Sequence, residues 1–178
     1  MGGVNGAEAL KALYALQEKD LEIDRLRAEA ESLPEELVAL QGQVETLEER
    51  LTNLLERRAE LEREYNRHSL DIEDLSAKEK QAEEEQKRAQ SAREQTQYEN
   101  RIQQIKDRIR ELLELSTPIM EAMENLEAEI AQVEEELAAL RPRLQELLEA
   151  NLARVAELEA AIAAKVATLY GRRYDAGT

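Results

Sequence analysis

Residues 37–61 read LVALQGQVETLEERLTNLLERRAEL, and the apolar residues in this stretch recur at alternating intervals of three and four. The spacing continues without a break through sixteen positions. They are Leu37, Leu40, Val44, Leu47, Leu51, Leu54, Arg58, Leu61, Tyr65, His68, Ile72, Leu75, Glu79, Ala82, Gln86 and Ala89. Residues repeating every 3.5 positions form a narrow stripe, which is buried when another helix winds around it left-handedly. The stretch therefore predicts a coiled-coil helix.

A second run with the same rhythm extends from Tyr98 to Leu147 and supplies the partner helix. Between the two runs, residues 90–97 are polar and contain no apolar residue larger than Ala92. Two matched helices joined by a short polar segment predict an all-α fold, a long antiparallel coiled-coil helical hairpin with its turn near 90–97. We expect a flexible N-terminus over residues 1–6, the hairpin over 7–171 and a frayed tail over 172–178.

Three prolines interrupt the helical pattern and predict local breaks. Pro34 follows Ser32, which with Glu35 resembles a capping box for a restarted helix. Pro118 follows two hydroxyl residues that could cap a helix, and Pro142 should cause a kink because proline removes one intrahelical hydrogen bond. The apolar positions Leu10, Leu13, Leu16, Ile23, Leu26, Ala30 and Leu33 predict a shorter seam before the first break. Gly171 is the expected end of the last helix.

The pairing register follows from the two seams. If the numbers of facing residues add up to 184, both seams align throughout, with Leu61 facing Met123 and Leu47 facing Leu137. Interruptions of the heptad pattern then lie at the same height in both helices, which favours an intramolecular hairpin over a parallel dimer. A monomeric hairpin or a homodimer remains open.

Three polar residues on the seam are predicted to set the register: Arg58, His68 and Ser116. At 184, His68 and Ser116 face each other, and a polar residue in a seam penalises wrong pairings. Arg58 is expected to leave the seam sideways and pair with Glu127 or Glu124. A metal site at His68 is disfavoured because the chain has no cysteine and no second histidine.

The composition excludes several classes of function. The chain has no Phe, Trp or Cys, and 36% of its residues are charged, so the apolar residues form a seam and not a globular core with a substrate pocket. No phosphate-loop, dinucleotide or zinc-protease motif is present. No signal peptide or stretch of about 20 apolar residues is present, so we expect a cytoplasmic protein without membrane contact. We predict no enzymatic activity and no cofactor in this chain.

The end of the hairpin differs in charge from the rest. The whole chain has a formal charge of −16, whereas residues 87–110 contain seven bases against three acids, so the remainder carries about −20. The candidate contacts for a partner or for phosphate are Lys87, Arg88, Arg93, Arg101, Lys106 and Arg108. An acidic protein surface or a nucleic-acid backbone could bind there. A solvated, unoccupied tip is the alternative.

The layout resembles a bacterial family with an N-terminal coiled-coil hairpin followed by a C4-type zinc ribbon. Residues 10–26, LKALYALQEKDLEIDRL, are similar to that family's opening pattern, and residues 32–37, SLPEEL, are similar to the segment that follows it. Residues 92–94 resemble a basic-acidic pair near the family's turn, although Gln95 replaces the aromatic residue or leucine expected next.

The resemblance implies an adaptor that holds protein partners, with a sigma factor and flagellar regulation implicated in some members and RNA binding suggested. The two CxxC pairs of the family's ribbon are absent, so either the chain ends before the ribbon or the ribbon has been lost. The leading hypothesis is a non-enzymatic adaptor or scaffold that presents its tip and flanks to a protein partner, in transcription regulation by that resemblance. The alternative is RNA or DNA binding through the basic end or a missing ribbon.

Overall fold

A computed structural model describes the backbone of residues 5–176 and the side chains of residues 6–171, and all of its regular structure is helical. Helix α1 spans Asn5–Glu31, α2 spans Glu35–Lys87 and α3 spans Ala92–Ala176. The chain divides into two compact units. Residues 46–137 form one, called here the hairpin unit, and residues 1–45 with 138–178 form the other, called the terminal unit.

In the hairpin unit, α2 and α3 pack along the predicted seam. Every seam position of this unit, from Leu47 to Ala89 and from Tyr98 to Leu137, is buried or half-buried. Leu112, Val133 and Leu137 are each only 1% exposed. Fully burying a leucine contributes about 1.5–3 kcal/mol relative to leaving it in water, so this seam is the main source of stability. The predicted all-α helical hairpin is confirmed.

The register predicted for the hairpin unit agrees with the contacts between α2 and α3. At 184, Glu79 should face Ile105, and its carboxylate lies 3.8 Å from the ammonium of the next residue, Lys106. Likewise Tyr65 should face Ile119, and it lines a cavity together with the next residue, Met120. A slip by one heptad would separate these pairs by about 10 Å at 1.5 Å per residue.

The turn between α2 and α3 is shorter and earlier than the predicted turn near 90–97. It comprises residues 88–91, and residues 92–97 already belong to α3. The backbone N–H of Glu94 donates to the Ser91 hydroxyl at 3.1 Å, and the Glu94 carboxylate accepts from the Gln90 N–H at 3.2 Å. These bonds satisfy N–H groups that have no partner within a helix, so they start α3 where the polar composition alone predicted a loop.

Of the three predicted proline breaks, only the one at Pro34 is present. Residues 32–34 separate α1 from α2, whereas α3 runs continuously through Pro118 and Pro142. Ser116 is not a cap, because its hydroxyl donates to the Leu112 carbonyl of its own helix at 2.8 Å. An internal proline costs about 3 kcal/mol. Burial of Leu112 and Ile119 on either side of Pro118 offsets that cost.

In the terminal unit, Arg154 of α3 holds the end of α1. Its guanidinium donates to the carbonyl oxygens of Glu29 at 2.8 Å and Ser32 at 2.7 Å. The Asn151 side chain accepts a further bond from the same guanidinium at 2.9 Å and fixes its orientation. The last carbonyls of a helix lack partners within the helix, so a cation from the neighbouring helix satisfies them. No pattern in the sequence predicted this contact.

The helices of the terminal unit extend further than predicted. Helix α1 includes Asn5 and Gly6, and α3 continues through Gly171 to Ala176, so residues 172–176 of the expected tail over 172–178 are helical. Gly171 does not stop the helix, since it does not adopt a positive φ. The remaining parts of the predicted flexible N-terminus and tail, residues 1–4 and 177–178, lie outside the described residues.

Three predicted seam positions of the terminal unit are wrong. Leu10, Leu13 and Leu33 are 71%, 59% and 54% exposed. Leu33 lies in the break between α1 and α2. The other two, Leu10 and Leu13, come before the part of α1 that is level with Leu169, the last buried apolar residue of α3 among residues 6–171. Leu169 is followed by Tyr170, a glycine and two arginines, so α3 offers Leu10 and Leu13 no comparable apolar side chain.

Two ion pairs join the helices of the terminal unit at its surface. Lys165 of α3 lies 2.8 Å from Glu22 of α1, and Arg143 of α3 lies 2.8 Å from Glu36 of α2. The hydrogen bond from Lys165, followed by its charge, holds the pKa of Glu22 below its ordinary value. Hydrogen bonds to Glu36 and Glu146 raise the pKa of Arg143. Water screens these exposed pairs, so they contribute less to stability than the seam.

Crosslinking tests the register. In the double variant Leu61→Cys/Met123→Cys, oxidation should form an intramolecular disulfide, since these positions face each other and the chain has no other cysteine. Non-reducing electrophoresis and mass spectrometry detect the bond. The matched variant Leu61→Cys/Ile130→Cys, one heptad away, should remain reduced within the chain. Efficient crosslinking of the matched variant instead would establish the slipped register.

Replacing Arg154 tests the cap on α1. Arg154→Met keeps the aliphatic stem but leaves two carbonyls without their charged donor, so the free energy of unfolding should fall by about 1–3 kcal/mol. Urea denaturation followed by circular dichroism measures the change. Arg143→Met, which removes an exposed ion pair, is the control and should cause a smaller loss. Equal losses in both variants would contradict a special role for Arg154.

The Glu22–Lys165 pair should make stability depend on pH in a defined direction. Because the pKa of Glu22 is lowered from 4.5 in the folded state, the stabilisation is fully present above that value and is lost as the pH falls through the folded pKa. Lys165→Met should raise the pKa of Glu22, measured by carboxyl ¹³C NMR, and its stability should converge with that of the wild type in acid. Lys11→Met, on the same helix, should leave the pKa of Glu22 unchanged.

Candidate functional site

The six bases predicted as contacts fall into two groups in the hairpin unit. Lys106 pairs with Glu79 at 3.8 Å, and Arg108 pairs with Glu111 at 3.0 Å. The others make no ion pair or side-chain hydrogen bond among residues 6–171, and all are exposed. They are Lys87, Arg88, Arg93 and Arg101. These four, called here the tip bases, are the ones available to a partner.

The turn places the tip bases close together along the chain. Lys87 is the last residue of α2, Arg88 lies in the turn and Arg93 lies in the first turn of α3. The bonds among Gln90, Ser91 and Glu94 fix the path of the chain between them. Lys87, Arg88 and Arg93 therefore lie on a turn of defined geometry, and a partner would bind them without having to order a loop.

Pairing of α2 with α3 brings acidic residues next to the tip bases that were not counted in the charge of residues 87–110. Glu83, Glu84 and Glu85 belong to the last turns of α2, and at the predicted register Glu84 is level with Asn100 of α3. The surface around Arg101 therefore carries both signs of charge. Seven bases minus three acids give residues 87–110 a charge of +4. In the folded protein Glu83, Glu84 and Glu85 lie beside these bases, so the tip is close to electrically balanced.

Tyr98 is the aromatic residue nearest to the tip bases, and it is half-buried on the seam of α3. Single-stranded nucleic acids bind to exposed aromatic faces on which bases stack, together with a continuous groove of positive charge. A half-buried ring does not offer such a face. The geometry of the tip lacks this part of a nucleic-acid site.

The three residues predicted to set the register occupy the seam as expected. Arg58 is half-buried and forms no ion pair with Glu124 or Glu127. His68 lies 4.0 Å from Glu64 of its own helix, while the Ser116 hydroxyl bonds to its own backbone. Their effect on register stays a prediction. In the described part of the chain, no buried side-chain nitrogen or oxygen lacks a hydrogen bond.

Within the described residues there is no group of three or more His, Cys, Asp or Glu side chains placed to hold a metal ion. In the same part of the chain, no helix has a segment that is both long enough and apolar enough to cross a membrane. The residues that sequence reasoning missed at the tip are Ser91 and the three glutamates at the end of α2. The pattern of serine followed three positions later by glutamate, Ser91 and Glu94, is the signal that could have located the turn.

Comparison of the chain with protein-family models, with curated proteins and with solved structures gave no match.

Proposed function

We propose that this protein is a non-enzymatic adaptor that presents the tip and flanks of its helical hairpin to a protein partner. The observation that carries the proposal is the set of tip bases, which are exposed, unpaired and held by a capped turn. Charged groups without internal partners, displayed on ordered backbone, steer and orient an incoming protein. The proposed adaptor acts in the cytoplasm and needs no cofactor in this chain.

A protein partner fits the charges of the tip better than a nucleic acid does. The tip bases stand beside Glu83, Glu84 and Glu85, and such alternation matches a protein surface that also carries both signs. A phosphate backbone would be attracted by the bases and repelled by the neighbouring carboxylates. At physiological salt the Debye length is about 8 Å, so only carboxylates close to the tip bases add to this repulsion.

Nucleic-acid binding is the second candidate, because Lys87, Arg88, Arg93 and Arg101 have no carboxylate partner among residues 6–171. Phosphate contacts would make affinity fall steeply with salt, with a slope of about 0.7–0.9 per contact on logarithmic axes. If the proposed relationship to zinc-ribbon hairpin adaptors holds, a ribbon would add nucleic-acid contacts of its own to those of the tip bases. Partner capture and nucleic-acid binding are therefore measured on the same variants.

Charge reversal separates the two candidates. In the triple variant Arg88→Glu/Arg93→Glu/Arg101→Glu, capture of protein partners from a lysate of the source cell should be lost, because the partner's carboxylates meet like charges. Quantitative mass spectrometry of the captured proteins measures the loss. Gel-shift assays at about 0.15 M salt should show negligible RNA or DNA binding by the wild type.

The matched control is Arg50→Glu/Arg63→Glu/Arg67→Glu, which changes the net charge equally at exposed positions of α2 away from the turn. This control should retain partner capture. Submicromolar binding of RNA or DNA by the wild type, lost in the tip variant, would overturn the protein-docking proposal in favour of the nucleic-acid one. Partner capture that persists in the tip variant would remove the tip from either function.

A further inference from the structure

The flank of the hairpin unit contains two adjoining cavities that the seam does not fill. One has a volume of about 250 Å³ and the other about 350 Å³, and both are lined by Tyr65 of α2 and Met120 of α3. Met123 completes the apolar lining of the first, whereas Ile72 and Leu113 contribute to the second. The two cavities form one surface, called here the methionine groove.

The groove follows a single face of α3. Leu113, Thr117, Met120, Glu124 and Glu127 line it at helical spacing, over a length of about 21 Å at 1.5 Å per residue. This length equals about four turns of a partner helix. Two cavities in a row along such a face provide sockets for apolar side chains spaced one to two turns apart, which is how amphipathic helices bind in grooves.

The apolar floor of the groove is open to solvent. Met120 is 53% exposed and Leu113 is 52% exposed, although burial would stabilise both side chains. Among the described residues, the methionines are Met120 and Met123, and both lie here. Methionine is unbranched and polarisable, so it adapts to side chains of different shape and is common at surfaces that bind helices.

The rim of the groove is acidic and its carboxylates are free. Glu73 lies at the cavity of about 350 Å³, and Glu124 and Glu127 lie at the cavity of about 250 Å³. None of the three forms an ion pair or hydrogen bond within the described residues. Residues 111–137 of α3 contain nine glutamates and no Lys, Arg or His, and the half-buried Arg58 of the facing helix α2 forms no ion pair with Glu124 or Glu127.

We propose that the methionine groove binds a basic amphipathic helix of a partner protein. Apolar side chains of that helix fill the two cavities, and its Lys or Arg side chains reach Glu73, Glu124 and Glu127. The charge disfavours the other occupants: a nucleic acid would be repelled by the glutamates, and a second copy of this chain would bring a further charge of −16. This inference rests on the proposed adaptor function and defines the chemistry of one partner surface.

The test uses the full chain and a synthetic probe. The probe is a fluorescein-labelled peptide of about five helical turns, with leucines at the i, i+3/i+4 and i+7 spacing and lysines on both sides of them. Fluorescence anisotropy should show saturable binding. Met120→Glu should weaken it about tenfold or more, because it places a charge in an apolar socket. Since Met120 is half-exposed, we expect the variant to keep its helical circular dichroism.

A second variant tests the rim without altering the packing. Glu124→Gln/Glu127→Gln should weaken binding about three- to tenfold at low salt, and the difference should shrink at about 0.5 M salt, where charges are screened. Glu134→Gln/Glu135→Gln, on the same helix but outside the groove, is the charge control. Leu115→Glu, at a position 51% exposed that does not line either cavity, is the control for Met120→Glu. Both controls should bind as the wild type does.

Several outcomes would overturn the proposal. These are no saturable binding of the probe, equal weakening by the groove variants and their controls, or equal binding of a peptide with the leucines scrambled. Concentration-dependent dimerisation of the chain that Met120→Glu abolishes would assign the groove to a second copy instead. The tip variant Arg88→Glu/Arg93→Glu/Arg101→Glu should bind the probe normally. Failure of the tip proposal therefore leaves this test intact, and failure here leaves the tip proposal intact.

Discussion

The apolar seam repeating every 3.5 residues is the constraint on which the rest of the structure depends. In the hairpin unit it buries Leu61 and Ala82 of α2 and Ile105 and Leu112 of α3, so packing supplies most of the stability of both helices. The seam is long enough to retain a helix through Pro118, where local chemistry favours a break. It also fixes the register, and thereby decides which surface residues of the two helices lie side by side.

Where the seam ends, polar bonds determine the structure. At the turn of the hairpin unit, Ser91 and Glu94 satisfy backbone N–H groups of the chain entering α3. In the terminal unit, Arg154 satisfies carbonyls at the end of α1, where Leu33 is exposed and contributes no packing. Helix ends leave four N–H or C=O groups without internal partners, so each interruption of the seam requires a replacement for them.

The sequence predicted what depends on periodicity and failed on what depends on tertiary neighbours. Leu47 to Ala89 and Tyr98 to Leu137 could be assigned to the seam because a heptad repeat is a local pattern. The turn was placed too late because composition outweighed the serine–glutamate cap, and Pro142 was expected to break a helix that packing sustains. The charge of the tip was overestimated because Glu84 comes beside the return helix only after folding. The methionine groove was missed since its residues flank the seam and have no repeat of their own.

The chemistry of the surface varies along the hairpin unit in a way that suits an adaptor. Bases without an ion pair among residues 6–171 lie around the turn, whereas residues 111–137 of α3 carry nine glutamates and no base, beside an open apolar groove. The groove lies on two helices, and the tip bases lie on helix ends and a capped turn, so binding of the proposed partners would cost little conformational entropy. The two surfaces differ in charge, since the tip carries both signs whereas the rim of the groove is acidic, so a basic helix would be favoured at the groove. If both proposals hold, one continuous pair of helices would present two surfaces of different chemistry to two partners.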